Sequence, residues 1–156
     1  MTTIKGNWTF LAIDPGLSGG LVLLSDDDKI IEASAMPDST RGIFELLEEW
    51  NGRYHLKCAI EKQQARPGDG AASIATFFEH YGVLKTCLVL LEIPHVFITA
   101  KKWQNAMLLK RPSSYSYDKW KRRLRDHAKS MYPGDKRVTM KTADAIILAH
   151  YYRKNY

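Results

Sequence analysis

The sequence predicts an α/β protein in which a mixed five-stranded sheet carries helices on both faces. Three observations predict it. Residues 8–36 contain three short apolar runs separated by turn-forming residues. Two further apolar runs follow, each preceded by a segment whose apolar residues recur at helical spacing, and the last third of the chain has helical spacing alone. A strand meander followed by helix-linked strands gives a sheet with both antiparallel and parallel neighbours.

The first three strands are predicted from uninterrupted apolar runs. Residues 8–13 form a run typical of a strand buried on both faces, and Asp14-Pro15-Gly16 ends it in a sharp turn. The second and third strands are predicted at 20–24 and 30–36. The polar residues 25–29 between them favour a hairpin, and their three aspartates are typical of an exposed turn.

Helices and strands alternate in the middle of the chain. Ser39 or Thr40 can cap a helix whose apolar residues fall on one face, and a buried strand at 56–60 ends at Glu61. The polar loop 62–70 then leads into a long helix over about 71–91. Its aromatic residues fit either burial against the sheet or a contact between two copies of the chain. The fifth strand is predicted at 93–99.

The C-terminal part is predicted to be helical. Helices are expected over 101–107, about 117–131 and about 139–153. In the second of these, an apolar stripe faces the core and basic residues occupy the other directions. Trp103, in the first, is expected in the core because large aromatic side chains are mostly buried.

Composition limits the possible class of protein. The length of 156 residues fits one domain over 1–156, and no apolar run reaches the roughly 18 residues that a membrane span requires. We expect a cytoplasmic protein without an export leader, a membrane partner or a small-molecule cofactor. Cys58 and Cys87 lie in apolar stretches that do not indicate a disulfide or a zinc site.

Positive charge is concentrated in the last third of the chain. The net charge is +6, and residues 100–141 hold 13 of the 23 Lys and Arg residues but only 3 of the 17 acids. The remaining residues are mildly acidic. This asymmetry favours a polyanionic partner such as nucleic acid over an ordinary solvated helix face.

Three acids occupy positions that a surface acid seldom takes. Asp14 and Glu61 each follow a buried strand, and Asp144 has apolar neighbours in the last helix. Each has an ordinary explanation alone, in turn chemistry, a polar sheet rim or a helix's first turn. Acids at the ends of neighbouring parallel strands can nevertheless converge with one from a helix packed across them. Such a group would repel itself unless a cation lay between its members.

The residue types predict which cation. Carboxylate oxygens without a matching His or Cys cluster suit Mg²⁺, with Mn²⁺ able to substitute. Two such ions about 3.5 to 4 Å apart could activate a water and stabilise the leaving oxygen of a phosphodiester. The sequence thus predicts two ions per site, held by Asp14, Glu61 and Asp144.

Three segments resemble the signature segments of the RuvC family of Holliday-junction resolvases. They are LAIDPGLSGG at 11–20, AIEK at 59–62 and TADAIILA at 142–149, and the similarity in order and spacing runs over about 8–153. The resemblance implies an RNase H-like fold, a homodimer and Mg²⁺-dependent paired nicking of a four-way DNA junction. Asp14, Glu61 and Asp144 would be the metal ligands and catalytic residues.

The chain departs from the family at one position. Three residues before the last Asp the family commonly has a further acid or a His, and this chain has Lys141. One helical turn would put Lys141 on the same face as Asp144. We therefore expect Lys141 in the active site, where it could act on the scissile phosphate or the attacking water. The alternative is that it extends into solvent.

Nucleic-acid contacts are expected from the loop after the fourth strand, the helix after the fifth strand and the basic helix. The residues are Lys62, Gln63, Gln64, Arg66, Lys101, Lys102, Lys110, Arg111, Lys121, Arg122 and Arg125.

Other functions share parts of this pattern. Sugar-kinase and actin-like ATPases also have an early Asp before glycine, but they need a second domain and later phosphate loops for which this chain has no room. A RuvC-like nuclease acting on RNA or on other branched nucleic acid remains open. So does a junction-binding protein without catalysis, although retention of all three acids argues against it.

Overall fold

A mixed five-stranded sheet forms the centre of the molecule, in a computed structural model that describes residues 7–156. Residues 1–6, the region in which an export leader would begin, lie outside the described part. The strands are β1 (Thr9–Asp14), β2 (Gly20–Leu24), β3 (Ile30–Ala35), β4 (Leu56–Lys62) and β5 (His95–Thr99), in the order β3-β2-β1-β4-β5.

Pairing within this sheet follows the predicted meander and crossovers. β1 is antiparallel to β2, which is antiparallel to β3, whereas β4 runs parallel to both β1 and β5. The predicted mixed sheet is therefore confirmed. β5 begins two residues later than expected, after Pro94, because proline has no N–H to donate to a ladder.

Helices cover both faces of the sheet, as predicted. On one face lie α1 (Thr40–Arg53) and α2 (Ala71–Leu90), and on the other lie α3 (Ala100–Ala106), α4 (Tyr117–Met131) and α5 (Ala143–Asn155). Over residues 7–156, no helix has both the length and the apolarity to cross a bilayer.

Side-chain alternation along β1 divides the core between the two faces. Leu11 and Ile13 pack in the cluster beneath α1 and α2, whereas Phe10 and Ala12 pack in the cluster beneath α3, α4 and α5. Burial of each large aliphatic side chain contributes about 1.5 to 3 kcal/mol. Because both faces are apolar, neither can face solvent, which explains the continuous apolar run.

The two helices on the first face match their sequence signals. The Ser39 hydroxyl accepts a hydrogen bond from the Gly42 N–H at 3.0 Å and so caps α1. In α2, Tyr81 is buried, while Phe77 and Phe78 are partly buried against the same core. Burial against the protein's own sheet is confirmed for Tyr81, and a contact between two copies of the chain stays a prediction.

The last helix begins at Ala143, four residues later than predicted. Residues 139–142 instead form a turn, in which the Thr142 hydroxyl donates to the Arg137 carbonyl at 2.6 Å and accepts from the Thr139 N–H at 2.9 Å. These side-chain bonds give the backbone an alternative to the helix. Lys141 therefore lies before the helix, and the argument from one helical turn does not apply to it.

Gly20, at the start of β2, lets this turn pack closely on the sheet. A Cβ at this position would lie 2.5 Å from the Lys141 carbonyl oxygen and 2.9 Å from that of Ser34. Both are backbone atoms of packed segments, so a side chain here would force them apart. The glycine thus lets the N-terminus of α5 approach the carboxyl end of β1.

A partly buried polar cluster fixes the other end of α5. One oxygen of Asp28, in the β2–β3 turn, accepts hydrogen bonds from the Tyr132 hydroxyl at 2.8 Å and from Arg153 at 3.1 Å, and lies 2.9 Å from His150. The predicted exposed turn is thus tied to two helices through its last aspartate.

Candidate active site

Strand pairing places two acids side by side at one edge of the sheet. Ile13 of β1 pairs with Ile60 of β4 in a parallel ladder, so the next residues, Asp14 and Glu61, are neighbours. Alternation turns both side chains toward α3, α4 and α5, because Asp14 follows Ala12 by two residues and Glu61 follows Ala59 by two. The two carboxylates therefore lie at the same end and on the same face of the sheet.

The third acid comes from the first turn of α5. Asp144 is buried, and α5 packs across β1 and β2 near their paired ends. Asp14, Glu61 and Asp144 all line one cleft of about 460 Å³. Residues widely separated in the chain thus meet in one pocket, as the three-acid hypothesis requires.

A lysine from α4 lies among these acids. The Lys121 ammonium is 2.5 Å from one oxygen of Asp144 and 3.9 Å from one oxygen of Asp14. Only 14% of the Lys121 side chain is exposed. A cation from the protein itself therefore compensates part of the negative charge of the cluster.

Glu61 is held by two side-chain donors. The indole N–H of Trp103 donates to one carboxylate oxygen at 2.9 Å, and the amide of Gln63 donates to the other at 3.0 Å. Trp103 is fully buried, which confirms its predicted place in the core and fixes the direction from which it donates. Such bonds restrict the carboxylate to one orientation.

The surroundings raise the pKa of all three acids. Burial raises the pKa of Asp14 well above its usual value, and the charges of Asp144 and Glu61 raise it further, while Lys121 opposes them. Burial likewise raises the pKa of Glu61 and of Asp144, against the lowering effects of Trp103 and Lys121 respectively. A group of this kind gains stability from any additional cation that reaches it.

The chemistry of the donors fits a hard divalent cation. Within the part of the chain that the structure describes, one oxygen of Asp144 is buried without a hydrogen-bond partner, which is costly unless a ligand satisfies it. The donors are carboxylate oxygens, which Mg²⁺ and Mn²⁺ prefer. Within residues 7–156, no three His, Cys, Asp or Glu side chains are already grouped closely enough to form a metal-binding set. A cation bound by all three acids would therefore bring them closer together.

The predicted nucleic-acid residues fall into two groups. Gln63, Arg66, Arg111 and Lys121 line the cleft, and the Arg111 guanidinium donates to the Tyr115 carbonyl at 2.9 and 3.2 Å. The other seven do not line the cleft. Six of them are exposed and Arg125 is partly buried; the seven are Lys62, Gln64, Lys101, Lys102, Lys110, Arg122 and Arg125.

Lys141 is also exposed and is not among the residues that line the cleft. Its predicted action on the scissile phosphate stays a prediction. The lysine that contacts the acids is Lys121, which the sequence assigns only to the DNA-facing side of α4. Helical spacing contains a signal for this position, because Tyr117, Lys121 and Leu124 lie on neighbouring directions at the edge of the buried stripe.

Sequence reasoning missed other residues of the cleft. Phe77 of α2 lies on one wall, against Gly16, and Gln104 and Tyr117 lie on another. Their positions follow from how α2, α3 and α4 pack around the strand ends. The spacing of residues within a single helix does not indicate these positions.

Known structures share this architecture. A structure described as Thermus thermophilus RuvC in complex with a Holliday junction substrate superposes with a TM-score of 0.65 at 13% identity, covering 94% of this chain and 95% of that one. The chain has the RuvC fold. A second Thermus thermophilus RuvC structure matches with a TM-score of 0.55 at 14% identity over the same shares of both chains.

The RuvC fold is RNase H-like, so the predicted fold class and the resemblance to RuvC are confirmed at the level of the fold. No protein-family model and no curated protein matches the chain in sequence. At identities of 13–14%, the likeness lies in the three-dimensional arrangement.

Proposed function

We propose that this protein is a metal-dependent endonuclease that resolves four-way DNA junctions by paired symmetric nicks. The observation that carries the proposal is the meeting of Asp14, Glu61 and Asp144 in one cleft of a RuvC fold. The basic residues of α4 and of the segments before it support a polyanionic substrate.

In this proposal the three acids hold Mg²⁺, for which Mn²⁺ can substitute. When bound, the ion supplies Lewis-acid stabilisation of the phosphate and a more acidic water. The protein's own residues orient these ligands. Trp103 and Gln63 hold Glu61 through one hydrogen bond to each of its oxygens.

DNA would be held by the basic residues in and around the cleft. Arg66 and Arg111 line the cleft and can contact the phosphates that flank the scissile bond. The exposed Lys and Arg residues named above would extend this contact along the backbone. A guanidinium is suited to this role because it can bind a phosphate through two parallel N–H bonds.

Paired nicks require two copies of the chain, and we propose a homodimer. An apolar groove of about 910 Å³ lies between α1 and α2, on the sheet face opposite α3, α4 and α5, with Phe44, Val83 and Leu90 in its lining. Val89 and Leu90 are 62% and 68% exposed. Burial of such an apolar surface would favour association through this face.

The proposal is tested on a labelled four-way junction, a linear duplex and an RNA–DNA hybrid of the same sequence. With Mg²⁺ we expect the junction to be cut at two symmetric positions and the others to be cut much more slowly. Light scattering should give the mass of a dimer. Equal cutting of all three substrates would exclude a resolvase but not a nuclease, and junction binding without cutting under any divalent metal would indicate a binding protein.

Trp103→Phe should slow cutting by roughly 10- to 100-fold, the usual cost of losing a partner that orients a metal ligand. Phenylalanine keeps most of the packing but cannot donate to Glu61. If Trp103 orients Glu61, the variant should need a higher Mg²⁺ concentration than wild type for half-maximal cutting. Rates measured over a Mg²⁺ titration would show it.

The matched control is Trp50→Phe. Trp50 is 3% exposed and packs in the core on the opposite face of the sheet. It should lose comparable packing with no change in the Mg²⁺ requirement. An equal shift in both variants would mean that Trp103 acts through the stability of the fold and not through Glu61.

A further inference from the structure

The ammonium group of Lys121 lies inside the carboxylate cluster. It is 2.5 Å from one oxygen of Asp144 and 3.9 Å from one oxygen of Asp14, and 14% of the side chain is exposed. The side chain leaves α4 between the buried residues Trp120 and Leu124, so its base is fixed in the core. The position of this positive charge is thus built into the fold.

We propose that Lys121 permanently occupies one of the two cation positions of the site, so that each chain binds a single divalent ion. The proposal rests on the proposed metal-dependent function and lowers the expected number of divalent ions per site from two to one. Lys121 would also act in the reaction. A fixed ammonium beside the bound phosphate can stabilise the negative charge of the transition state, which a second ion would otherwise stabilise.

Charge balance supports one ion. Three ionised acids carry three negative charges, and Lys121 leaves two, which a single divalent cation neutralises. A second divalent ion would leave the buried cluster with net positive charge before any substrate arrived. Burying such excess charge is unfavourable. The absence of a fourth acid at Lys141, where the family commonly has an acid or a His, agrees with this balance.

The different surroundings of the two carboxylate oxygens of Asp144 support the same arrangement. One oxygen accepts a hydrogen bond from Lys121, and the other is buried without a hydrogen-bond partner in residues 7–156. The ammonium therefore leaves one oxygen of this carboxylate available. Among the described residues, each oxygen of Glu61 accepts one hydrogen bond, so each can accept a further contact. The remaining acceptors suffice for one shared ion beside the lysine.

Mn²⁺ binding without nucleic acid tests the proposal. Isothermal titration and the spin-resonance signal of free Mn²⁺ give the number of ions per chain and their affinity, independently of cutting. We expect wild type to bind one ion and Lys121→Met to bind its first ion at least roughly tenfold more tightly, the lower end of what close charge pairs contribute. Lys121→Glu, which supplies a fourth acid, should bind two.

Further variants separate the possible results. Lys129→Met removes the same charge from an exposed position of the same helix and should leave binding unchanged, and Lys121→Arg should keep one ion. Circular dichroism verifies folding. If Lys121→Glu does not fold, the proposal is decided by the number of Mn²⁺ ions on wild type and by the Mn²⁺ affinity of Lys121→Met.

Two Mn²⁺ ions on wild type, or an affinity that does not change in Lys121→Met, would overturn the role of Lys121 and leave a metal-dependent nuclease intact. If wild type binds no more Mn²⁺ than Asp144→Asn does, the metal dependence itself fails. The two failures are therefore distinguished in one titration.

Discussion

Asp14→Asn should lower the rate of junction cutting by roughly 10³-fold or more at saturating Mg²⁺. Loss of a ligand removes metal-derived stabilisation of the transition state, which is worth several kcal/mol, and each 1.4 kcal/mol is about a factor of ten. Asparagine has the same shape, and Asp14 lies in β1 between packed residues, so the fold should persist. Single-turnover cutting of a labelled junction measures the effect.

The same substitution should stabilise the metal-free protein. Burial and the neighbouring acids raise the pKa of Asp14 above its usual 3.8, so the folded state binds this proton more tightly than the unfolded state does. The contribution of Asp14 to stability therefore falls as pH rises from about that value through the raised pKa. The asparagine side chain of the variant does not titrate. In EDTA, the difference in unfolding free energy between variant and wild type should increase with pH and then level off.

Asp38→Asn is the control for both effects, because Asp38 is an exposed acid in the loop before α1. It should cut at the wild-type rate, with an unfolding free energy that follows wild type at every pH. A normal cutting rate for Asp14→Asn would remove Asp14 from the metal-binding set. A variant less stable than wild type in EDTA would contradict a raised pKa for Asp14.

Junction binding should weaken steeply with salt. A protein that neutralises six or more phosphates loses roughly 10³-fold or more in affinity between about 50 and 200 mM salt. The exposed basic residues on α4 and on the segments that precede it are numerous enough to make that number of contacts. Fluorescence anisotropy with Ca²⁺ in place of Mg²⁺ would measure binding over this range.

Arg122→Gln should reduce the slope of log affinity against log salt by about one, because one phosphate contact is lost. Arg122 is exposed on α4. The control, Lys29→Gln, removes an exposed charge from the turn between β2 and β3 and should not change the slope. A flat salt dependence in wild type would contradict a footprint of many phosphates.

Local pattern was sufficient for most of the fold because its signals act over a few residues. The apolar run before Asp14 and the alternation within it identify a strand buried on both faces. The spacing of apolar residues identified α4 with its bounds, and Ser39 marked the start of α1. The start of α5 was misplaced because hydrogen bonds among Thr139, Thr142 and Arg137 replace its first turn.

The candidate site divides in the same way. By itself the sequence determined that two acids follow parallel strands and that a third begins a helix, and ladder geometry then requires the strand acids to lie together. Only the tertiary structure decided which cation lies among them. Lys121 and Lys141 are equivalent by residue type, but their distances from Asp144 depend on how α4 packs and where α5 begins. Those are contacts between distant segments, which no local pattern specifies.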